Sequence, residues 1–349
     1  MKLLKYAMFS TIALACFACS SDDESGLKND MIKKTTAPAI VGEKIEFAYA
    51  MGTTEGRLAK AEATASFAGA TGTDFELYSW FTARGDISVN GVNYRGGDEV
   101  PLQTVKDAST SGVTSVANMM ETVDTHYFNP SVAVGTSQSE LIAATLRYNY
   151  VVPAEAKGKS FHITFTATST TGSKVTYETP SYPVSKMDMK RLIELENGAA
   201  CCFSLEDMAA YTTAEAASMG NKIDFIYNYQ KKTDDGFDYG HSFVSPATDP
   251  KFIALSGIIP SGASNDTPME QRAQVHDAQL KGANPAVYVD DVDFETLDLS
   301  RASNYVLNLK NDDGVFMKSA DGKYAAFVYV NRIDDSGKVT ISLKRYPLK

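Results

Sequence analysis

Apolar and polar residues alternate along much of the chain. In residues 45–51, Ile45, Phe47, Tyr49 and Met51 take one set of positions, and Glu46, Ala48 and Ala50 take the other. Phe161, Ile163, Phe165 and Ala167 oppose His162, Thr164, Thr166 and Thr168 in the same way. Ile223, Phe225, Tyr227 and Tyr229 repeat the pattern. A period of two sends successive side chains to opposite faces and predicts half-buried strands. β-Branched and aromatic residues dominate these runs. Turn-forming clusters separate them: Asn-Gly at 90–91, Gly-Gly at 96–97, Thr-Thr-Gly at 170–172, and acidic glycine turns at 311–314 and 334–337. Many short strands with tight turns predict a mainly β fold of antiparallel sandwiches of the immunoglobulin-like kind.

One stretch departs from this period. Residues 203–220 offer Ser204 as an N-cap, Thr212 and Glu215 as a capping box, and Gly220 as a stop. They predict one or two short helices laid over the second half. Residues 99–143 read as a long loop with a helical turn near 115–124.

The halves share segments in the same order. "GEKIEFAYAM" (42–51) matches "GNKIDFIYNY" (220–229). Residues 152–184 match 317–348 through Gly-Lys, an aromatic strand, Gly-x-Lys-Val-Thr and Tyr-Pro. This predicts a duplication: an N-terminal sandwich at 41–185 and a C-terminal one at 186–349, with one strand order in both. Each repeat is far longer than a solenoid unit.

The 349 residues carry a net charge of −10 and are 44% hydrophobic. That suits a globular chain and excludes a nucleic-acid partner, whose phosphates demand a basic face. It also disfavours peripheral binding to anionic headgroups through surface charge. The opening residues qualify the picture. Residues 1–18 carry Lys2 and Lys5 and then an uncharged, largely apolar run through Ala18, the form of a secretory signal. Cys16 and Cys19 each follow a small residue, and "CSSDDES" begins at Cys19. Cys19 is therefore expected to carry the lipid of a lipoprotein, with Cys16 removed in the signal. Residues 19–40 read as a polar, acidic tether.

Candidate chemistry is sparse. Adjacent Cys201 and Cys202 read as small apolar fillers, at most one of them entering the core. Of the histidines His126, His162, His241 and His276, His162 reads as exposed. Asp238, His241, Ser242 and Ser245 lie close in sequence, but neither serine has the glycine-flanked elbow of a nucleophile. Asp290, Asp291, Asp293 and Glu295 lack the spacing of a calcium loop and read as a solvated strand edge. Trp80 is the one tryptophan, so tryptophan platforms for sugars are scarce. His126, Tyr127 and Phe128 fall in an expected loop. No metal or cofactor is expected.

Cys19 with its acidic run, the strands "KIEFAYAM" and "KIDFIYNY", "ATLRYNYVVP" (144–153) and "FSLEDMAAYTTAEA" (203–216) resemble an uncharacterised group of Bacteroidota surface lipoproteins. The resemblance implies immunoglobulin-like sandwiches and brings no site residues. It suggests a lipid-anchored protein of the outer membrane that faces the cell exterior. Such a protein would bind a glycan, another nutrient or a host molecule without catalysis, beside an outer-membrane transporter. The alternative is a structural or adhesive surface protein that pairs with other proteins through its sheet edges. On this reading Cys19→Ser should abolish incorporation of labelled fatty acid and Cys16→Ser should not; label retained in the Cys19 variant refutes it.

Overall fold

A computed structural model describes residues 26–349, apart from 77–79, 83–85, 90–91, 96–97, 102–113, 116–121, 129–142, 231–238, 249–257, 273–274 and 282–286. The first half holds β1 (Leu27–Lys34), β2 (Lys44–Thr53), β3 (Leu58–Ala65), β4 (Asp74–Phe75), β5 (Trp80–Thr82), β6 (Ile87–Val89), β7 (Val92–Tyr94) and β8 (Glu99–Pro101). It continues with β9 (Thr114–Ser115), β10 (Thr122–Phe128), β11 (Ala143–Val151), β12 (Ser160–Phe161), β13 (Ile163–Ser169), β14 (Lys174–Glu178) and β15 (Tyr182–Pro183). One sheet runs β1-β2-β11-β5-β8, with β4 also on β11, and the other runs β14-β13-β3-β10-β9. Neighbouring strands in both are antiparallel.

The predicted alternation is what closes this sandwich. Ile45, Phe47, Tyr49 and Met51 face inward from β2, and Ile163, Phe165 and Ala167 face inward from β13. The Phe165 ring lies 5.0 Å from Tyr49 and 5.6 Å from Phe47, centroid to centroid. Ala61, Ala63 and Ala65 line the same core from β3, and their small size leaves room for those rings.

The second half holds β16 (Asp188–Glu196), β17 (Cys202–Ser204), β18 (Ala209–Tyr211), α1 (Thr213–Ala216), β19 (Phe225–Gln230), β20 (Gly240–Val244) and β21 (Met269–Arg272). Then come α2 (Ala278–Lys281), α3 (Asp291–Glu295), β22 (Tyr305–Leu309), β23 (Gly314–Lys318), β24 (Tyr324–Asp334) and β25 (Lys338–Pro347). The sheets run β16-β25-β24-β23-β21 and β18-β17-β19-β20-β22. The capping box forms as read: Thr212 accepts from the Glu215 N–H and the Glu215 carboxylate accepts from the Thr212 N–H. Ser204 does not start a helix. It ends β17, and its hydroxyl accepts from the Asp207 N–H across a turn. Gly220 is needed for closeness, since a Cβ there would lie 2.5 Å from the Gly262 backbone.

Several expectations are corrected. The strand orders of the two halves differ, against the single order that a duplication predicts. Phe47 lies on β2 between β1 and β11, whereas Phe225 lies on β19 between β17 and β20. The hairpin β13–β14 joins its sheet through β13 and leaves β14 at the edge. The matching hairpin β24–β25 is flanked on both sides, by β23 and β16. The shared motifs encode alternation and hairpin turns, which are local; neighbour choice is not. The tether read over 19–40 is also shortened, because Leu27–Lys34 pairs with β2 and Leu27 is buried. Its polar composition is that of an edge strand. His126, Tyr127 and Phe128 lie in β10, paired with Ala63, Glu62 and Ala61, and not in a loop. Residues 116–121, within the expected helical turn, and the leader with Cys16 and Cys19 lie outside the described residues.

A segment without a counterpart among the described residues of the first half covers the second. β24 is buried on both faces: Ala326, Val328 and Val330 line the sandwich core, while Ala325, Phe327 and Tyr329 join a separate cluster. That cluster contains Leu280, Val289, Phe294, Leu297 and Leu299 from the α2–α3 segment, together with Ile40 and Met187 from the join between the halves. The halves therefore share an apolar seam.

Polar groups pin the seam. Arg191 makes a bidentate contact with Glu43, at 2.7 and 2.6 Å. Lys157 pairs with Asp188. Arg191 sits in an irregularity of β16, beside Leu192 in left-handed backbone at φ 57°, a conformation costing about 1–3 kcal/mol in a non-glycine residue.

Burial gives the second half a pH dependence. The Asp224 carboxyl is pushed up to about 7 by desolvation, against a hydrogen bond from the Leu205 N–H and with Asp321 and Glu206 adding repulsion. The folded state thus favours the neutral acid. The penalty begins as pH rises above the unfolded value of 3.8 and is complete above about 7. Between pH 4 and 8 the stability of Asp224→Asn relative to the parent should shift in the variant's favour by about 3–4 kcal/mol. Urea unfolding at both pH values tests this; a pH-independent difference contradicts it.

Candidate functional site

At the seam, described residues form an open groove of about 590 Å³. One wall is the chain leaving β1. The Thr35 N–H donates to the Glu46 carbonyl at 3.1 Å, and Thr36, Ala37 and Pro38 continue past it. Ala39 then bridges Val184 in parallel, and its carbonyl accepts from the Ser185 N–H at 2.8 Å. The floor is the proline-bounded turn into β15, with Pro180, Tyr182 and Pro183. The Tyr182 ring stacks on Phe161 at 5.3 Å and meets Phe47 edge-on. Its hydroxyl is buried without a hydrogen-bond partner. Desolvation raises the Tyr182 pKa, with the neighbouring Tyr177 adding to it.

The far wall is Tyr288, Asp290, Asp291 and Val292 from the α2–α3 segment. A buried ion pair sets its position. Lys344 Nζ and Asp277 Oδ2 are 2.7 Å apart, and both side chains are fully withdrawn from solvent. Asp277 accepts from the N–H groups of Gln279, Leu280 and Val289, and Lys344 donates to the Val289 carbonyl. Burial pulls the Lys344 pKa down while Asp277 pulls it back up. The Lys344 ammonium lies 6.0 Å from the Tyr288 ring centroid, so the pair sits directly behind this wall.

Comparison with known proteins fits this architecture. Domain of unknown function DUF4466 matches residues 24–184, and Domain of unknown function DUF8576 matches 185–348. A crystal structure of a DUF4466 family protein from Parabacteroides merdae is 34% identical, covers 93% of this chain and 99% of its own, and superposes with a TM-score of 0.75. The chain belongs to the DUF4466 family. No curated protein matches it. More distant similarities are to the protein titled BspA_C_mut, 14% identical over 46% of each chain at a TM-score of 0.24. The collagen binding subdomain of the Enterococcus faecalis surface protein ACE is 7% identical, over 44% of this chain and 92% of its own, at 0.19.

The residues singled out from sequence are scattered in this DUF4466 protein. His241, on β20, stacks on Tyr229 and shares a 2.6 Å hydrogen bond with the Tyr227 hydroxyl. The Ser242 hydroxyl donates to the Asn228 carbonyl, and that of Ser245 to the Asn265 carbonyl. Asp238 lies outside the described residues. Cys201 and Cys202 are both buried and free, their sulfurs 3.9 Å apart. The expectation that at most one would enter the core fails because Cys201 precedes β17 and does not share its alternation: Cys201 Sγ meets Thr213 Oγ1 of α1. His162 is half-buried rather than exposed, and His276 lies in the segment leading to α2.

The acidic run is a capped helix, not a strand edge. Asp290 accepts from Val292 and Asp293, and Asp293 accepts from the Asp290 N–H. Asp291 accepts from the Ser185 hydroxyl across the seam. Among the described residues, no group of three acids, cysteines or histidines is arranged to hold a metal ion. No described helix is long and apolar enough to cross a membrane.

Tyr182, Tyr288 and the Asp277–Lys344 pair went unread in the sequence. Tyr182 stands between Pro180 and Pro183, a sign of a fixed, irregular turn. Lys344 occupies the face of β25 opposite Val339, Ile341 and Leu343, which reads as solvent until the covering segment is known. Lys344→Ala should leave Asp277 buried and unpaired at a cost of about 3–5 kcal/mol, with faster hydrogen exchange at the Val289 amide. An unchanged denaturation midpoint and unchanged protection refute this account of the wall.

Proposed function

We propose that this chain is a non-catalytic surface binding protein that takes a neutral glycan in the groove between its halves, held to the outer membrane by a lipid on Cys19 and facing the cell exterior. The carrying observation is the lining: two tyrosines, three prolines and Val292 supply apolar surface, with Thr35, Thr36 and an acidic wall beside them. Pyranose rings present C–H faces that stack on such surfaces, and hydroxyls that need acceptors and donors nearby.

The acidic residues here are occupied structurally. Asp290 caps α3, and Asp291 ties that helix to Ser185. They are spent on building the wall, which suits recognition better than proton transfer. Asp290, Asp291 and the net charge of −10 also weigh against a polyanionic ligand.

Affinity electrophoresis through gels containing neutral polysaccharides tests the reading. A retarding glycan should exist, and Tyr182→Ala or Tyr288→Ala should each weaken its binding about tenfold or more, equal to about 1.4 kcal/mol. Thr171→Ala, remote from the groove, should bind as the parent does. Retardation that is indifferent to both tyrosines overturns the assignment to this groove.

A further inference from the structure

The end of the first sandwich remote from the groove is built from two turns and the start of β1. Leu27 pairs with Thr53, and the Gly26 carbonyl accepts from the Thr54 N–H at 3.0 Å. The β2–β3 turn is locked to the β13–β14 turn: the Thr170 N–H donates to the Arg57 carbonyl at 2.8 Å, and the Arg57 N–H donates to Thr170 Oγ1 at 3.1 Å. The chain entry and both turns therefore share one tip. Thr54, Thr170, Thr171 and Lys174 are exposed there. The ionisable side chains of its turns are Glu55, Arg57 and Lys174, a balance of one positive charge on a chain of net −10.

Seven residues separate Cys19 from Leu27. Fully extended, that stretch reaches at most about 28 Å from the Cys19 Cα to the Leu27 Cα. β1 then runs away from the tip, and the groove begins at Thr35, about 27 Å further along a strand. We propose that this hydroxyl-rich tip is the surface of the protein that faces the lipid headgroups, so that the first sandwich stands on end and the groove opens away from the membrane. The inference rests on lipid attachment at Cys19, which the surface-binding reading also assumes. Standing on end also leaves the groove clear of the bilayer, where a polymeric ligand can reach it.

The test uses the lipidated protein in vesicles of phosphatidylethanolamine and phosphatidylglycerol that carry a headgroup-attached quencher. A fluorophore is placed on Thr171→Cys at the tip or on Val292→Cys beside the groove. Cys201 and Cys202 are fully buried, and the unsubstituted protein measures any labelling of them. Detergent-phase partitioning first establishes that each variant is anchored. The tip label should be quenched about threefold or more above the groove label, given distances of about 28 Å or less against about 55 Å. Anchored protein with equal quenching at the two positions, or stronger quenching at the groove, overturns the orientation alone. Protein that stays in the aqueous phase overturns the anchor and the orientation together.

Discussion

Lys344 and Asp277 form an ion pair wholly withdrawn from water, and the seam of the molecule is arranged around it. Neither partner tolerates burial alone, because an unpaired charge in that setting costs several kcal/mol. The requirement is met by converging donors and acceptors. Three N–H groups aim at the aspartate, and the Val289 carbonyl meets the lysine. All of them lie in the segment that crosses the outer face of β24 and β25. Satisfying the pair therefore fixes where that segment lies, and with it the capped α3 and the wall of the groove. Such a pair adds little net stability compared with well-packed apolar residues. Its contribution here is position: only one placement of the segment leaves no charge unmet.

That placement also explains why the halves act as neighbours with a shared core instead of beads on a string. Covering the outer face of β24 brings Phe294 and Leu280 over Phe327 and Phe316, and the same cluster takes in Ile40 and Met187. The chain reversal near Ser185 is thereby trapped between two apolar surfaces. Arg191–Glu43 and Ser185–Asp291 then set the angle at which the halves meet. A groove between two units is rigid only if the units are fixed relative to each other. The apolar cluster supplies adhesion, and the polar contacts supply direction. The proposed ligand surface is thus a by-product of how the halves are joined, and its two tyrosines come from opposite sides of the join.

Much of the local structure was legible in the amino-acid order. The inward parity of Ile45, Phe47 and Tyr49, the strand 163–169, the turns at 170–172 and 334–337 and the Thr212–Glu215 capping box each depend on residues within a few positions of one another. Backbone sterics, side-chain alternation and short-range hydrogen bonds decide such features, so the sequence alone determines them. The same locality misled the comparison of the halves. Two amphipathic hairpins with similar turns look alike in sequence whichever strands they join. The decision to flank β25 with β16, or to leave β14 at an edge, is made by contacts between residues more than a hundred positions apart. Tertiary structure also decided the second buried face of β24, the burial of Lys344 and both cysteines, and the placing of Tyr182 and Tyr288 along one groove. In each case a side chain's surroundings are supplied by a distant segment, and periodicity along one strand carries no information about what covers its other face.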